Sequence, residues 1–197
     1  MIVKMETELS ERQKEIINAS LELIAESGIQ SLTIKNLSKK IGLVESAIYR
    51  HYESKTHILL AILDSISDKT KPENVKEVEC ILDLLEARLI NHFVTFTQKP
   101  VLVSVVFAED LFQNEPLLVE KTRIKIEKSI SELAELIRKG QKNGEITLSI
   151  EPEIASIMIN GSIRMLVKQW KMTRYSFDLL AKGKLLVESL IFLLRQQ

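Results

Sequence analysis

Cysteine is almost absent from the sequence. Cys80 is the only one in 197 residues, so no disulfide can form within the chain, and Cys80 reads as a small apolar residue on a helix. The three histidines, His51, His57 and His92, stand without the clustered Cys and His spacing of a zinc site. Glycine-rich phosphate loops, nucleophile motifs and triad spacings are also missing, which argues against an enzyme and predicts no catalytic residues, no metal site and no cofactor. No run approaches the roughly 18 consecutive apolar residues needed to span a bilayer. The opening stretch MIVKMETELSERQ has no apolar core of a signal peptide, so a cytoplasmic protein without a membrane partner is expected. Charge of one sign is lacking too: 27 basic side chains balance 27 acidic ones, and bulk charge therefore names no partner.

What is present is helical periodicity. Glycine and proline are sparse, at six and four, and between them apolar residues recur at intervals of three and four rather than in strict alternation. The fold class is all-α, with about nine helices expected. Ser10 with Gln13 resembles a capping box opening a helix that carries Ile16, Ile17, Ala19, Ser20, Leu23 and Ile24 and closes at Ser27-Gly28. Thr33 suits the N-cap of a second helix over 34–41, Gly42 supplies the turn, and a third short helix follows over 44–52. Ser54 can cap a fourth helix with Ile58, Leu59, Ile62 and Leu63, running toward a polar stretch at 67–74 that contains Pro72 and where the compact bodies should part. Longer helices are expected over 75–98, 101–113, 115–142, 151–172 and 176–195, with Pro116 and Pro152 in first turns. By role, the chain divides into a three-helix helix-turn-helix domain over 1–56 and a larger helical regulatory and dimerisation domain over 57–197.

Two short helices joined by a glycine turn form a shape whose second helix can enter a DNA major groove. Local charge agrees. Between residues 33 and 57, Lys35, Lys39, Lys40, Arg50 and Lys55 face only Glu45 and Glu53, with His51 and His57 in addition. Leu37, Ile41, Leu43, Ile48 and Tyr52 fall at helical spacing and read as core.

Gly28, Thr33, Leu37, Ile41-Gly42-Leu43, Ile48-Tyr49-Arg50-His51-Tyr52, Lys55 and Leu59 stand at the spacing of the TetR-family N-terminal signature, and the stretch of about 50 residues over 10–60 resembles that family. The resemblance implies a sequence-specific transcriptional regulator. It implies that Thr33, Tyr49, His51 and Lys55 position the DNA backbone and that Lys35, Glu45, Ser46, Ala47 and Arg50 lie toward base edges. Two positions depart from the pattern: Val44 stands where a serine-like residue usually opens the recognition helix, and Ser46 where glycine is common. Val44 cannot cap with its side chain.

Reading a palindromic double-stranded operator calls for a homodimer, and the resemblance places its interface on the last two helices. Phe93, Phe96, Phe107, Met158, Met165 and Trp170 are candidate linings of an apolar cavity for a small apolar or amphipathic effector, although plain core accounts for such residues equally well. His92, Thr95, Thr97, Asn160, Ser162 and Arg164 are candidates to orient its head group. The resemblance favours a repressor released by that effector. Set against it are a DNA-binding protein of the same fold controlled by a protein partner or by nucleoid state, and a helical interaction adaptor that has lost DNA binding.

Overall fold

The computed structural model describes residues 9–69, 80–108 and 112–196. In chain order the elements are α1 (Glu11–Ser27), a 3-10 turn (Ile29–Ser31), α2 (Ile34–Ile41), α3 (Glu45–Tyr49), α4 (Lys55–Lys69), α5 (Ile81–Gln98), α6 (Val101–Val106), α7 (Pro116–Lys142), α8 (Pro152–Met172) and α9 (Leu179–Leu194). The architecture is all-α; among the described residues the β pairing is one isolated antiparallel bridge, Ile146 to Arg195. The chain forms two compact units, 1–64 and 65–197, and the division falls within α4. Of the stretch expected to separate them, residues 70–74 lie outside the described residues, as do 75–79 of the expected fifth helix and 109–111 of the sixth.

In the first unit the caps are those the residue types dictate. Ser10 accepts from the Gln13 N–H at 3.2 Å while Gln13 accepts from the Ser10 N–H at 2.9 Å, closing the capping box of α1. Thr33 Oγ1 accepts from the Asn36 N–H at 3.1 Å and starts α2. Gly42 ends α2 in the left-handed region at φ 67°, where a side chain would be strained. The 3-10 turn had no sequence signal; Asn36 Nδ2 donates to the Ser31 carbonyl at 2.8 Å and ties it to α2. Ile16, Leu32, Leu37, Ile48, Ile58 and Ile62 are buried together as this unit's core.

The second unit is a helical bundle. Arg88 bonds Glu132 at 2.8 Å, and a Cβ on Gly140 would lie 3.3 Å from Ile81, so α5 and α7 run antiparallel. Ser129 with Asn160 at 3.0 Å and Arg138 with Glu153 give α7 and α8 the same relation. Glu145 caps α5 from a distant turn, accepting from the Ile81 N–H at 2.6 Å, the Leu82 N–H at 3.3 Å and the Cys80 thiol at 3.1 Å. Those hydrogen bonds hold its carboxyl below its ordinary range against the opposing effect of burial. The corner at 173–176 is made by two residues with positive φ, Arg174 at 53° and Tyr175 at 61°. Beyond it α9 starts on Asp178, which accepts from the Ala181 N–H at 2.9 Å.

α9 packs on α5 through Gly183, where an added Cβ would stand 2.5 Å from Cγ and Cδ2 of the buried Phe93 ring. Glycine is thus a matter of space here. Gly183→Ala should destabilise the protein by about 1–3 kcal/mol through overpacking, read as a lowered midpoint in thermal or denaturant unfolding.

Candidate nucleic-acid interface

α3 has five residues and one of them, Ile48, is fully buried. Around that anchor Val44, Glu45, Ser46, Tyr49 and Arg50 are exposed, while Ala47 and His51 are half-buried. The helix therefore presents to solvent nearly everything it carries. Val44 occupies the N-cap in an extended conformation with no side-chain hydrogen bond, as its chemistry requires. The expected span of 44–52 shrinks to Glu45–Tyr49, because His51 and Tyr52 turn back with both N–H groups on the Ile48 carbonyl, at 2.9 and 3.0 Å.

Lys35 is exposed in the first turn of α2, Thr33 is exposed beside it, and Lys55 is half-buried at the start of α4. The Thr33 hydroxyl accepts the capping hydrogen bond and keeps its own proton to donate. Tyr52 lies inside with its hydroxyl without a hydrogen-bond partner, and burial pushes its pKa up to about 12, so it stays protonated and apolar in role.

Two basic side chains counted in the sequence are already engaged. Lys40 Nζ lies 2.9 Å from Glu26 and 3.4 Å from Glu22, both on α1, and the hydrogen bond to Glu26 raises its pKa. His57 Nδ1 is 3.0 Å from Ser54 Oγ and its Nε2 3.6 Å from Glu53. The only sequence trace of the Lys40 partnership is that Glu22 and Glu26 stand one turn apart on α1.

Comparison with known proteins decides the family. Residues 16–62 match the family described as bacterial regulatory proteins, tetR family, and residues 79–196 match the one described as MAATS-type transcriptional repressor, C-terminal region. The chain belongs to the TetR family. Among TetR-type relatives, the fatty acid metabolism regulator protein of Bacillus subtilis is 25% identical over 180 residues, covering 90% of this chain and 92% of that one. The nucleoid occlusion factor SlmA of Vibrio campbellii is 24% identical over 157 residues, 77% of this chain and 80% of that one. The crystal structure of the Bacillus subtilis transcriptional regulator FadR in complex with stearoyl-CoA superposes with a TM-score of 0.79 at 24% identity, over 94% of this chain and all (100%) of that one.

In this TetR-family chain the six candidate effector residues differ in burial. Phe93 is wholly buried against Gly183, and Trp170 is buried with its Nε1–H donating to the Phe177 carbonyl at 2.9 Å. Phe96 is buried on α5. Phe107 is half-buried, with the Arg164 guanidinium 4.5 Å above its ring. Met158 and Met165 point out of α8, 52% and 66% exposed. Of the polar candidates, Asn160 accepts from Ser129, Thr95 returns its hydroxyl to the Asn91 carbonyl, and Ser162 does the same to Met158.

His92, one turn beyond Arg88 on α5, has its pKa pushed down to about 4 by burial and by the Arg88 charge. An unfolded histidine titrates near 6.5, so between about pH 6.5 and pH 4 the unfolded chain binds the proton that the folded one refuses. Stability conferred by neutral His92 is complete above that window and lost as pH falls through it, by up to about 1.4 kcal/mol per pH unit. A His92→Gln variant should show a flatter fall in unfolding midpoint between pH 6.5 and 4 than the parent.

Proposed function

We propose that the protein is a dimeric repressor that binds a palindromic operator through α3 and leaves it when a small amphipathic effector binds the C-terminal domain. The observation that carries this reading is α3 itself, a helix anchored by one buried side chain with Glu45, Ser46 and Tyr49, and Arg50 at its C-cap, left facing water. In this reading Lys35 and Arg50 donate to guanine N7 and O6, Glu45 accepts from cytosine N4, and Ser46 and Ala47 lie against base edges. Thr33, Tyr49, His51 and Lys55 donate to phosphate oxygens and fix the register. Lys40 is excluded, since two carboxylates already neutralise it.

The two subunits are proposed to meet through α8 and α9. Ile154, Ile157, Met158, Met165, Leu185 and Phe192 are large apolar side chains exposed on these helices, while Ile159, Ile163, Val187 and Leu190 face inward. Two apolar faces on one helix are what a helix shared between a core and a partner subunit needs. This gives Met158 and Met165 an interface role.

For the effector, Phe96 and Phe107 offer apolar surface, and Arg164 with His92 offers polar anchoring. The relative whose structure holds stearoyl-CoA suggests a long-chain acyl compound. Such a ligand acts only through unequal affinity for the DNA-bound and released geometries. A second reading, control by a protein partner or nucleoid state, is favoured by the similarity to SlmA.

Operator fragments should first be selected from genomic DNA by the full-length protein. Lys55→Ala should then weaken binding uniformly across sequences and lower the salt slope by about two per dimer, because each half-site then neutralises one phosphate fewer. Arg50→Ala should cost about 1–3 kcal/mol per half-site and relax base preference, while Lys40→Met leaves the slope as it was. Variants of Arg50, Tyr49 and Lys55 that all bind like the parent would overturn the site. On the regulatory side, micromolar stearoyl-CoA should release the operator and raise the melting temperature. Neither change occurring would favour the partner-controlled reading.

A further inference from the structure

In the first unit, residues 9–64, the large apolar side chains left exposed among the described residues are Val44, at 68%, and Tyr49, at 50%. Tyr49 carries a hydroxyl that can reach a phosphate. Val44 carries nothing polar, and its position is costly in local terms. Helices α1 and α2 of the same unit open on Ser10 and Thr33, whose hydroxyls accept hydrogen bonds from their first turns, whereas α3 opens on a residue that accepts none. Packing does not explain the choice either. The residue that staples a helix start to its fourth position is the one before the cap, here the half-buried Leu43 opposite the buried Ile48. Val44 stands beyond that pair, turned to solvent.

Resting on the operator-binding reading above, we infer that Val44 is a specificity-determining residue whose isopropyl group packs on the C5-methyl of a thymine in the major groove. The thymine methyl is the apolar group that base edges display there, and it is the feature of the major groove that an exposed isopropyl complements. Its neighbour supports the same placement. Glu45, exposed at the next position, carries a charge that phosphates repel, so this end of α3 fits base edges better than backbone. Ala47, half-buried three residues on, has a single methyl and less reach.

The test uses the full-length protein and a duplex enriched by it from a randomised pool. Each thymine of the enriched site is replaced in turn, symmetrically in both half-sites, by deoxyuridine, which removes the methyl and leaves every hydrogen bond. Binding of the parent should fall by about three- to fivefold per half-site at one position, the worth of one methyl withdrawn from water. In Val44→Ser, whose new hydroxyl can cap α3, the same replacement should change affinity hardly at all. A site with no methyl-sensitive thymine, or one whose sensitivity survives Val44→Ser, overturns the assignment with operator binding intact. A pool that yields no enriched sequence instead overturns the operator reading itself.

Discussion

The burial of Ile48 is the constraint on which α3 depends. A helix of five residues has too few internal hydrogen bonds to repay its own nucleation, so α3 exists because its one buried side chain is held in a core already made by others. That core is prepared upstream. The capping box of α1 and the Thr33 cap of α2 set two better-formed helices in place, Leu32 and Leu37 join Ile16 inside, and the left-handed Gly42 turns the chain so that Ile48 reaches the same interior. Fixing a helix by a single buried side chain leaves Glu45, Ser46 and Tyr49 facing water, as the proposed operator-binding surface requires.

Electrostatics refine this picture by subtraction. The chain is neutral overall, and the basic excess between residues 33 and 57 looks like a docking surface in the sequence. Part of that excess is structural: Lys40 is held by Glu22 and Glu26, clamping α2 to α1. Lys35 and Lys39 on α2 and Arg50 at the end of α3 remain exposed. A cation serves as clamp or as phosphate ligand according to whether a carboxylate reaches it first, and linear spacing cannot decide that for partners 14 and 18 positions away.

Local signals were legible and partnerships were not. The helix starts at Ser10, Thr33, Pro116 and Pro152 and the turn at Gly42 follow from single residues and short windows, and the structure has them. The 3-10 turn at Ile29–Ser31 and the Glu145 cap on α5 depend on residues brought together by folding, as with Cys80 and Glu145, 65 positions apart. The same limit governs the candidate effector residues. Periodicity marks Phe93, Met165 and Trp170 equally as apolar, yet Phe93 and Trp170 are packed inside and Met165 faces out. One stripe of apolar residues signals one buried face; with two faces on a helix, the sequence cannot assign a residue to either.

The corner between α8 and α9 settles how those faces are presented. Arg174 and Tyr175 both adopt left-handed backbone, a conformation that costs a residue with a side chain roughly 1–2 kcal/mol each. Neither is a glycine, so the surroundings must hold them. The Tyr175 N–H donates to the Trp170 carbonyl at 2.8 Å, its ring meets the Trp170 indole edge-on at 4.6 Å, and the indole N–H is fastened to the Phe177 carbonyl. Trp170 thus acts as the pivot of the turn, and its burial serves the helix pair more directly than any ligand. With the corner fixed, Gly183 can lie against Phe93 while Leu185 and Phe192 stay outside. The close approach of α9 to α5 on one side and its apolar surface on the other are consequences of the same turn.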